Sequence, residues 1–245
     1  MPRVVEETRC KVSPGTHGFP AGYLFCHAPD NVIYKVRLSD GSMSTFARLP
    51  TKVIADGALD FDRVGKFGFR LLAATGRSGA ESKRGGTVYA VSPAGAVQQV
   101  GTYSARGGAD ELIVAPARFG TASGQIVLTV DAGKTGSLEL MDARGRARTA
   151  AKLSDGPNPV VAVPATQRPT PGAEPGFYVT DTNSTNVFFV PAAKLRRYAG
   201  SLLVGSEIRG LFWTVTPAAG GLSVKRIPLT LPGTGFNLEN AIYVG

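Results

Sequence analysis

Short runs of apolar residues, separated by turn residues, recur along the whole chain. Five of these runs share one form. Each consists of three or four mainly apolar residues and often begins with glycine or an aromatic residue. A short, continuous apolar run that is bounded by turn signals is typical of a strand buried on both faces. The five runs are 22–25 (GYLF), 69–72 (FRLL), 125–128 (QIVL), 177–179 (FYV) and 201–204 (SLLV).

Most of these runs begin an ordered series. An alternating run follows, as in GTVYAVSP, then a more polar run, as in AVQQVGTY, and then a fourth run, as in DELIVAPA. Turn phrases such as SDGS and DARGR lie between them. Four short antiparallel strands per unit, repeated about every 50 residues, predict a β-propeller. A β-sandwich does not explain an ordered four-run repeat.

Five inner runs favour five blades, but the spacing leaves six open, because Ser201 follows Phe177 by only 24 positions. The last run, 241–244 (AIYV), has no unit after it. We expect it to close the ring by pairing with the first inner run, around Tyr23 and Cys26, which removes two sheet edges. Residues 16–245 then form one propeller domain, and residues 1–15 form an N-terminal arm or an extra outer strand.

Composition supports a packed domain with no membrane span. Hydrophobic residues make up 43% of the 245 positions, and no apolar run approaches the roughly 18–20 residues that cross a bilayer. The formal charge is +9, but its densest runs, 144–148 and 194–197, lack the interleaved aromatic residues of single-strand binders, so we expect no nucleic-acid partner. The oligomeric state stays open.

The two cysteines, Cys10 and Cys26, allow two interpretations. A disulfide would close a loop of about 16 residues and stabilise the fold by roughly 3 kcal/mol; two reduced core cysteines fit equally well. The first ten residues contain no apolar signal-peptide core. We expect an exported protein, periplasmic or extracellular, if a leader has been trimmed, and a cytoplasmic one otherwise.

Four polar residues occupy equivalent places at the fourth-type runs, and equivalent places in a propeller face the same axis. Three carboxylates and an amide that converge on a narrow channel repel one another unless a hard cation such as Ca²⁺ binds between them. We therefore predict a divalent metal site, with calcium preferred. Its ligands are Glu239, Asn158, Asp56 and Glu111. A second polar set lies at the ends of inner runs: His27, Asp131, Asp181 and Glu207.

The phrases that carry these residues resemble those of a known group of propellers. ADG at Asp56, PNP at Asn158 and ENA at Glu239 are similar to motifs of the six-bladed, calcium-dependent propellers, which include the gluconolactonase and senescence-marker lactonases, the strictosidine-synthase-like and the NHL-type proteins. The phrase GSLLVGSE also resembles uncharacterised exported bacterial propellers. The resemblance implies an axial metal held by Glu239, Asn158 and Asp56, with Glu111 in the same slot of another blade.

Three functions follow from this reading. The first is a propeller that binds a small molecule in a polar axial pocket and acts as a metal-dependent lactonase or esterase. Its candidate catalytic residues are Glu239, Asp56 and Glu111. The second is a non-catalytic exported module that binds a glycan, a peptide or a partner protein. The third is a propeller lyase or isomerase. The chain contains no GxSxG elbow, phosphate loop or Rossmann fingerprint.

Overall fold

Runs of aliphatic and aromatic residues, bounded by glycine, proline and aspartate turns, form the strands of the protein. The computed structural model describes residues 8–53, 56–76, 85–166 and 170–245, which contain nineteen strands. The strands lie in five antiparallel sheets arranged in a ring. The protein is therefore a five-bladed β-propeller, which confirms the predicted fold and the favoured blade number.

Blades 1, 2 and 3 each contain four strands in chain order, numbered from the axis outwards. Blade 1 contains β1 (Arg9–Val12), β2 (Tyr23–His27), β3 (Val32–Arg37) and β4 (Met43–Arg48). Blade 2 contains β5 (Leu59–Phe61), β6 (Leu71–Ala74), β7 (Thr87–Val91) and β8 (Val97–Thr102). Blade 3 contains β9 (Gly108–Val114), β10 (Ile126–Asp131), β11 (Gly136–Met141) and β12 (Ala147–Leu153), with a 3₁₀ turn at Gly120–Ala122.

Blades 4 and 5 exchange strands along the chain. The chain enters blade 4, builds a hairpin of blade 5, returns to complete blade 4 and ends as the inner strand of blade 5. Blade 4 contains β13 (Pro157–Ala162), β16 (Leu202–Ser206), β17 (Leu211–Ala218) and β18 (Gly221–Thr230). Blade 5 has three strands, namely β14 (Gly176–Asp181), β15 (Asn186–Pro191) and β19 (Leu238–Val244). Helix α1 (Ala192–Leu195) and a 3₁₀ turn at Arg196–Tyr198 make the return.

The exchange corrects the predicted ring closure. The C-terminal strand β19 pairs with β14, with Ala241 opposite Val179 and Tyr243 opposite Phe177, and not with the run around Tyr23 and Cys26. The inner side of that run is already covered by β1. The exchange also explains why Ser201 follows Phe177 so closely, because the two runs belong to different blades.

The strand β1 also lies elsewhere than predicted. Residues 1–7 are outside the described part of the chain, but β1 is the inner strand of blade 1 rather than an arm or an outer strand. A disulfide joins Cys10 to Cys26, which are directly opposite in β1 and β2. Since it closes a loop of about 16 residues, it stabilises the fold by roughly 3 kcal/mol and holds β1 at the axis.

Hydrophobic side chains fill four of the five seams between blades. Separate clusters of buried residues lie between blades 1 and 2, 2 and 3, 3 and 4, and 4 and 5. Between blade 5 and blade 1 the described residues form no such cluster, and Val12 and Ile242 at the ends of the two inner strands are largely exposed. The ring therefore closes with less apolar burial at this seam than at the others.

The inner strands β1, β5, β9, β13 and β19 run in the same direction around the axis, and successive ones contact each other from β1 to β19. Their beginnings define one end of the ring, which we call the acidic pole, and their ends line a cavity, which we call the funnel. No helix in the described residues is long and apolar enough to cross a membrane.

Candidate axial site

β-Bulges aim polar side chains from three inner strands at the axis. In β9, Glu111 pairs with Thr129 and Ala109 with Val130, so Asp110 is an additional residue. In β19, residues 239 and 240 lie opposite one residue of β14, and residues 158 and 159 of β13 lie opposite one residue of β16. A bulge re-aims side chains at such positions.

The bulges also show which residues are equivalent. The hydroxyl of Thr129 accepts the amide of Glu111 at 3.0 Å and donates to its carbonyl at 3.2 Å. Thr180 makes the same pair of hydrogen bonds with Asn240, at 3.1 and 3.3 Å. Glu239, which precedes Asn240, is therefore the counterpart of Asp110 and not of Glu111.

A buried arginine lies among the axial acids. Arg9 pairs through Nη2 with Oε2 of Glu239, and its Nε donates to the carbonyl of Asp110 at 3.4 Å. Asn158 Nδ2 donates to the same Glu239 oxygen at 3.3 Å. Burial alone would lower the pKa of Arg9, but the carboxylates of Glu239, Glu111 and Asp110 raise it, so the guanidinium stays charged. These contacts link β1, the first inner strand, to β19, the last one.

Two residues beyond Arg9 in β1, Lys11 lies beside Glu111. Lys11 Nζ is 3.3 Å from Glu111 Oε1, and the Glu111 side chain is 1% exposed. Burial raises the pKa of Glu111, and the nearby charges of Lys11 and Arg9 act in the opposite direction. Arg9 and Lys11 are two residues apart in β1, so both side chains point to one face of the strand.

Three further carboxylates meet at the acidic pole. Asp110, Asp131 and Glu207 each have an oxygen within 4.8 Å of the others. Burial raises the pKa of Asp110 well above its usual range, and the charges of Glu207, Asp56 and Asp131 add to the effect. Burial also raises the pKa of Asp131, against a hydrogen bond from the amide of Gly133 that lowers it. Asp56 is thus close enough to this cluster for its charge to raise the pKa of Asp110.

The four residues predicted as metal ligands are therefore all buried, but they divide between three places. Glu239 and Asn158 are in contact and share Arg9, Glu111 lies beside Lys11, and Asp56 lies near the acidic pole. Metal binding by these four together stays a prediction. As a single ligand set they fit poorly, because the cations of β1 pair with two of the three carboxylates.

Sequence reasoning missed Arg9, Lys11 and Asp110 as axial residues. The sequence pattern places the two cations in an N-terminal arm or an extra outer strand, and it places Glu111 rather than Asp110 at the axis, because a bulge cannot be read from two adjacent acids. The alternation of Arg9 and Lys11 around Cys10 was the available signal for a strand with a cationic face. Asp131 and Glu207 belong to the second predicted set, and the structure brings these two together.

The other members of that set, His27 and Asp181, lie apart from the cluster. Asp181 accepts hydrogen bonds from the amides of Asn237 and Asn183 and from the Ser184 hydroxyl, which is a turn-stabilising role. His27 is fully buried, and burial lowers its pKa to about 4, so it is neutral at pH 7.

The funnel lies at the opposite end of the axis and has a volume of about 430 Å³. Its wall is mainly apolar, with one polar side. The apolar part comprises Phe61, Val64, Leu112, Ile113, Val114, Pro116, Ala117, Val160, Val161, Ala162 and Ile242. The polar side comprises Lys11, Asp60, Arg63 and Tyr243.

Asp60 is the acidic residue of the funnel wall. Its Oδ2 accepts the amide of Val114 at 3.3 Å. Burial raises the pKa of Asp60, while the charges of Lys11 and Arg63 lower it. A carboxyl with a raised pKa beside two cations, in a cavity open to solvent, is suited to proton transfer.

Comparisons with known proteins gave matches only among solved structures, at low similarity. No protein-family model and no curated protein sequence matches the chain. Similar solved structures include virginiamycin B lyase from Staphylococcus aureus, with 13% identity, a TM-score of 0.46, and coverage of 93% of this chain and 73% of that one. The periplasmic gluconolactonase of Pseudomonas aeruginosa has 11% identity, a TM-score of 0.41 and coverage of 96% and 88%. Likeness at this level says nothing about activity.

The Arg9–Glu239 ion pair gives a first prediction. Arg9→Met should lower the free energy of unfolding by roughly 3–5 kcal/mol, because it leaves the Glu239 carboxylate buried without its cation. Adding Glu239→Gln should restore more than half of the loss, since glutamine is neutral and still accepts from Asn158. Urea unfolding of the two variants measures both values.

The control for this cycle is Arg37→Met, which breaks the exposed pair with Asp40 and should leave the urea midpoint nearly unchanged. An Arg9→Met loss as small as that of the control, or a double variant no more stable than Arg9→Met, would contradict a stabilising axial ion pair.

His27 gives a prediction about pH. Its folded pKa of about 4 lies below its unfolded value of about 6.5, so between these values the unfolded chain binds a proton that the folded chain does not. Stability should therefore fall as the pH drops from 6.5 towards 4, with about 2 kcal/mol lost to this group at pH 5. The measurement is urea unfolding at pH 7 and pH 5.

Comparison with His27→Gln isolates the histidine, because other titrating groups are common to both proteins. The wild type should lose about 2 kcal/mol more than the variant between the two pH values. Equal losses in the two proteins would show that the pKa of His27 is not lowered in the folded state.

Proposed function

We propose that the protein binds a small molecule with an apolar body and an anionic or strongly polar group in the funnel. The observation that carries the proposal is the cavity itself. All five inner strands contribute to it, and about 430 Å³ falls within the roughly 300–1,000 Å³ of ordinary ligand pockets. The apolar wall from β9 and β13 would receive the body of the ligand, and Lys11 and Arg63 its oxygen atoms.

Within this proposal, the chemistry that suits the funnel best is hydrolysis of an ester or a lactone. Asp60 would accept a proton from water as the water oxygen bonds to the carbonyl carbon. Lys11 and Arg63 would stabilise the negative charge on the carbonyl oxygen. As the acyl C–O bond breaks, the proton passes from Asp60 to the leaving oxygen, which gives an acid and an alcohol. We place the reaction here rather than at Glu239 and Glu111, because those carboxylates pair with Arg9 and Lys11.

A non-catalytic binding module is the second candidate, because the same cavity would serve it. A glycan platform built on the one tryptophan is less supported, since Trp213 is 7% exposed and packs in the cluster between blades 3 and 4. A lyase or isomerase would also use Asp60 as its base. The Cys10–Cys26 disulfide supports export, because disulfides persist in oxidising compartments.

Binding of 8-anilinonaphthalene-1-sulfonate, an aromatic sulfonate of the proposed chemistry, tests the funnel. The wild type should give a saturable rise in fluorescence. Ala117→Trp, which fills the rim of the funnel, should weaken binding at least tenfold. Arg63→Gln should weaken it roughly two- to five-fold, as expected for an exposed ionic contact.

The matched controls are Ala94→Trp in the turn between β7 and β8 and Arg226→Gln on the outer strand β18, both of which should bind as the wild type does. No saturable binding, or equal affinity in the Ala117→Trp variant, would exclude the funnel as the site.

Activity assays on the wild type and on Asp60→Asn distinguish an enzyme from a non-catalytic binding module. Hydrolysis of 4-nitrophenyl butyrate and of a six-membered aliphatic lactone should be lost in Asp60→Asn while binding of the sulfonate is retained. Binding without hydrolysis in the wild type would assign the protein to the non-catalytic class.

A further inference from the structure

The acidic pole carries a second site that the funnel does not use. Asp110 comes from the bulge in β9, Asp131 ends β10, and Glu207 follows β16. One oxygen from each lies within 4.8 Å of the other two. Asp131 lies at the end of the second strand of blade 3 and Glu207 just after the second strand of blade 4, so the cluster is distinct from a ring of inner-strand residues.

Asp110 provides an independent sign that a ligand belongs there. Its side chain is almost fully buried, and its Oδ2 has no hydrogen-bond partner among the described residues. A buried carboxylate oxygen without a partner is costly, and a bound cation removes that cost.

The backbone around Asp131 is shaped to admit its carboxylate. A Cβ at Gly156 would lie 2.4 Å from Asp131 Oδ1, so any side chain at this position would displace the carboxylate. Asp131 Oδ1 also accepts the amide of Gly133 at 2.6 Å, which fixes its direction. The neighbouring Asp155 accepts a hydrogen bond from the Ser206 hydroxyl, and its Oδ2 lies 3.4 Å from Nε of Arg209. Asp155 therefore belongs to a separate network.

We infer that Asp110, Asp131 and Glu207 bind a divalent cation, with calcium preferred. Carboxylate oxygens are hard ligands, and Ca²⁺ accepts the irregular arrangement and the added waters that three carboxylates leave room for. Mg²⁺ requires near-octahedral geometry and dehydrates reluctantly, so it suits this cluster less well.

The cation would connect two blades directly and a third one through the backbone of Glu207. Asp110 and Asp131 belong to blade 3 and Glu207 to blade 4. The carbonyl of Glu207 accepts the amide of Leu238 at 2.9 Å, at the start of the inner strand of blade 5, and its amide donates to Gly156 at 3.0 Å. Binding would therefore stabilise the part of the ring where blades 4 and 5 exchange strands. The inference does not rest on the function proposed for the funnel.

Calcium added to chelator-treated protein tests the site. Isothermal titration with CaCl₂ should show about one site, and at a calcium concentration a hundred times the Kd the Tm should rise by roughly 5–10 °C. Asp110→Asn should abolish both responses. Without metal, Asp110→Asn should unfold at the same temperature as the wild type or higher, because one of three mutually repelling carboxylates is gone.

The control is Asp142→Asn, a turn aspartate of blade 3, which should keep the full calcium response. Glu207→Gln, on a half-buried side chain, repeats the test if Asp110→Asn fails to fold. Absence of binding in the wild type, or an unchanged response in Asp110→Asn or Glu207→Gln, would overturn the site. An equal response to MgCl₂ would overturn the preference for calcium.

Discussion

The buried contact between Arg9 and Glu239 joins the first inner strand of the ring to the last one. Four seams of the propeller are filled by apolar side chains, and the described residues show no such cluster at the fifth. A charged pair links the two strands there, and such a pair is stabilising only while both partners are present. The disulfide between Cys10 and Cys26 supports the pair indirectly, because it holds β1, and with it Arg9, in place.

The same strand divides the interior of the ring. Arg9 pairs with Glu239 near the beginnings of the inner strands, and Lys11, beside Glu111, reaches the wall of the funnel. Two chemically different environments follow. The funnel has an apolar wall and a cationic side, whereas the acidic pole gathers Asp110, Asp131 and Glu207. The two proposed sites, one for an organic ligand and one for a cation, therefore lie at opposite ends of one axis.

The repeat of apolar runs was sufficient to predict the propeller and to favour five blades over six, because each run must be buried and each turn is marked by glycine, proline or aspartate. The strand exchange between blades 4 and 5 could not be predicted in this way. The hairpin that contains Phe177 follows the same pattern whether it joins one sheet or the next. At the axis, burial of Glu239, Asn158, Asp56 and Glu111 was predictable, but their partners were not. The bulge that distinguishes Asp110 from Glu111 depends on Thr129 in the neighbouring strand.

Hydrogen exchange of the inner strands tests most directly whether Arg9 closes the ring. The amides of β1, β19, β10 and β11 in Arg9→Met are compared with those of the wild type by mass spectrometry. If the ion pair holds the fifth seam, protection falls together in β1 and β19, with β10 and β11 of blade 3 as the internal reference that stays protected. Loss of protection confined to β1, with β19 unchanged, would contradict the account.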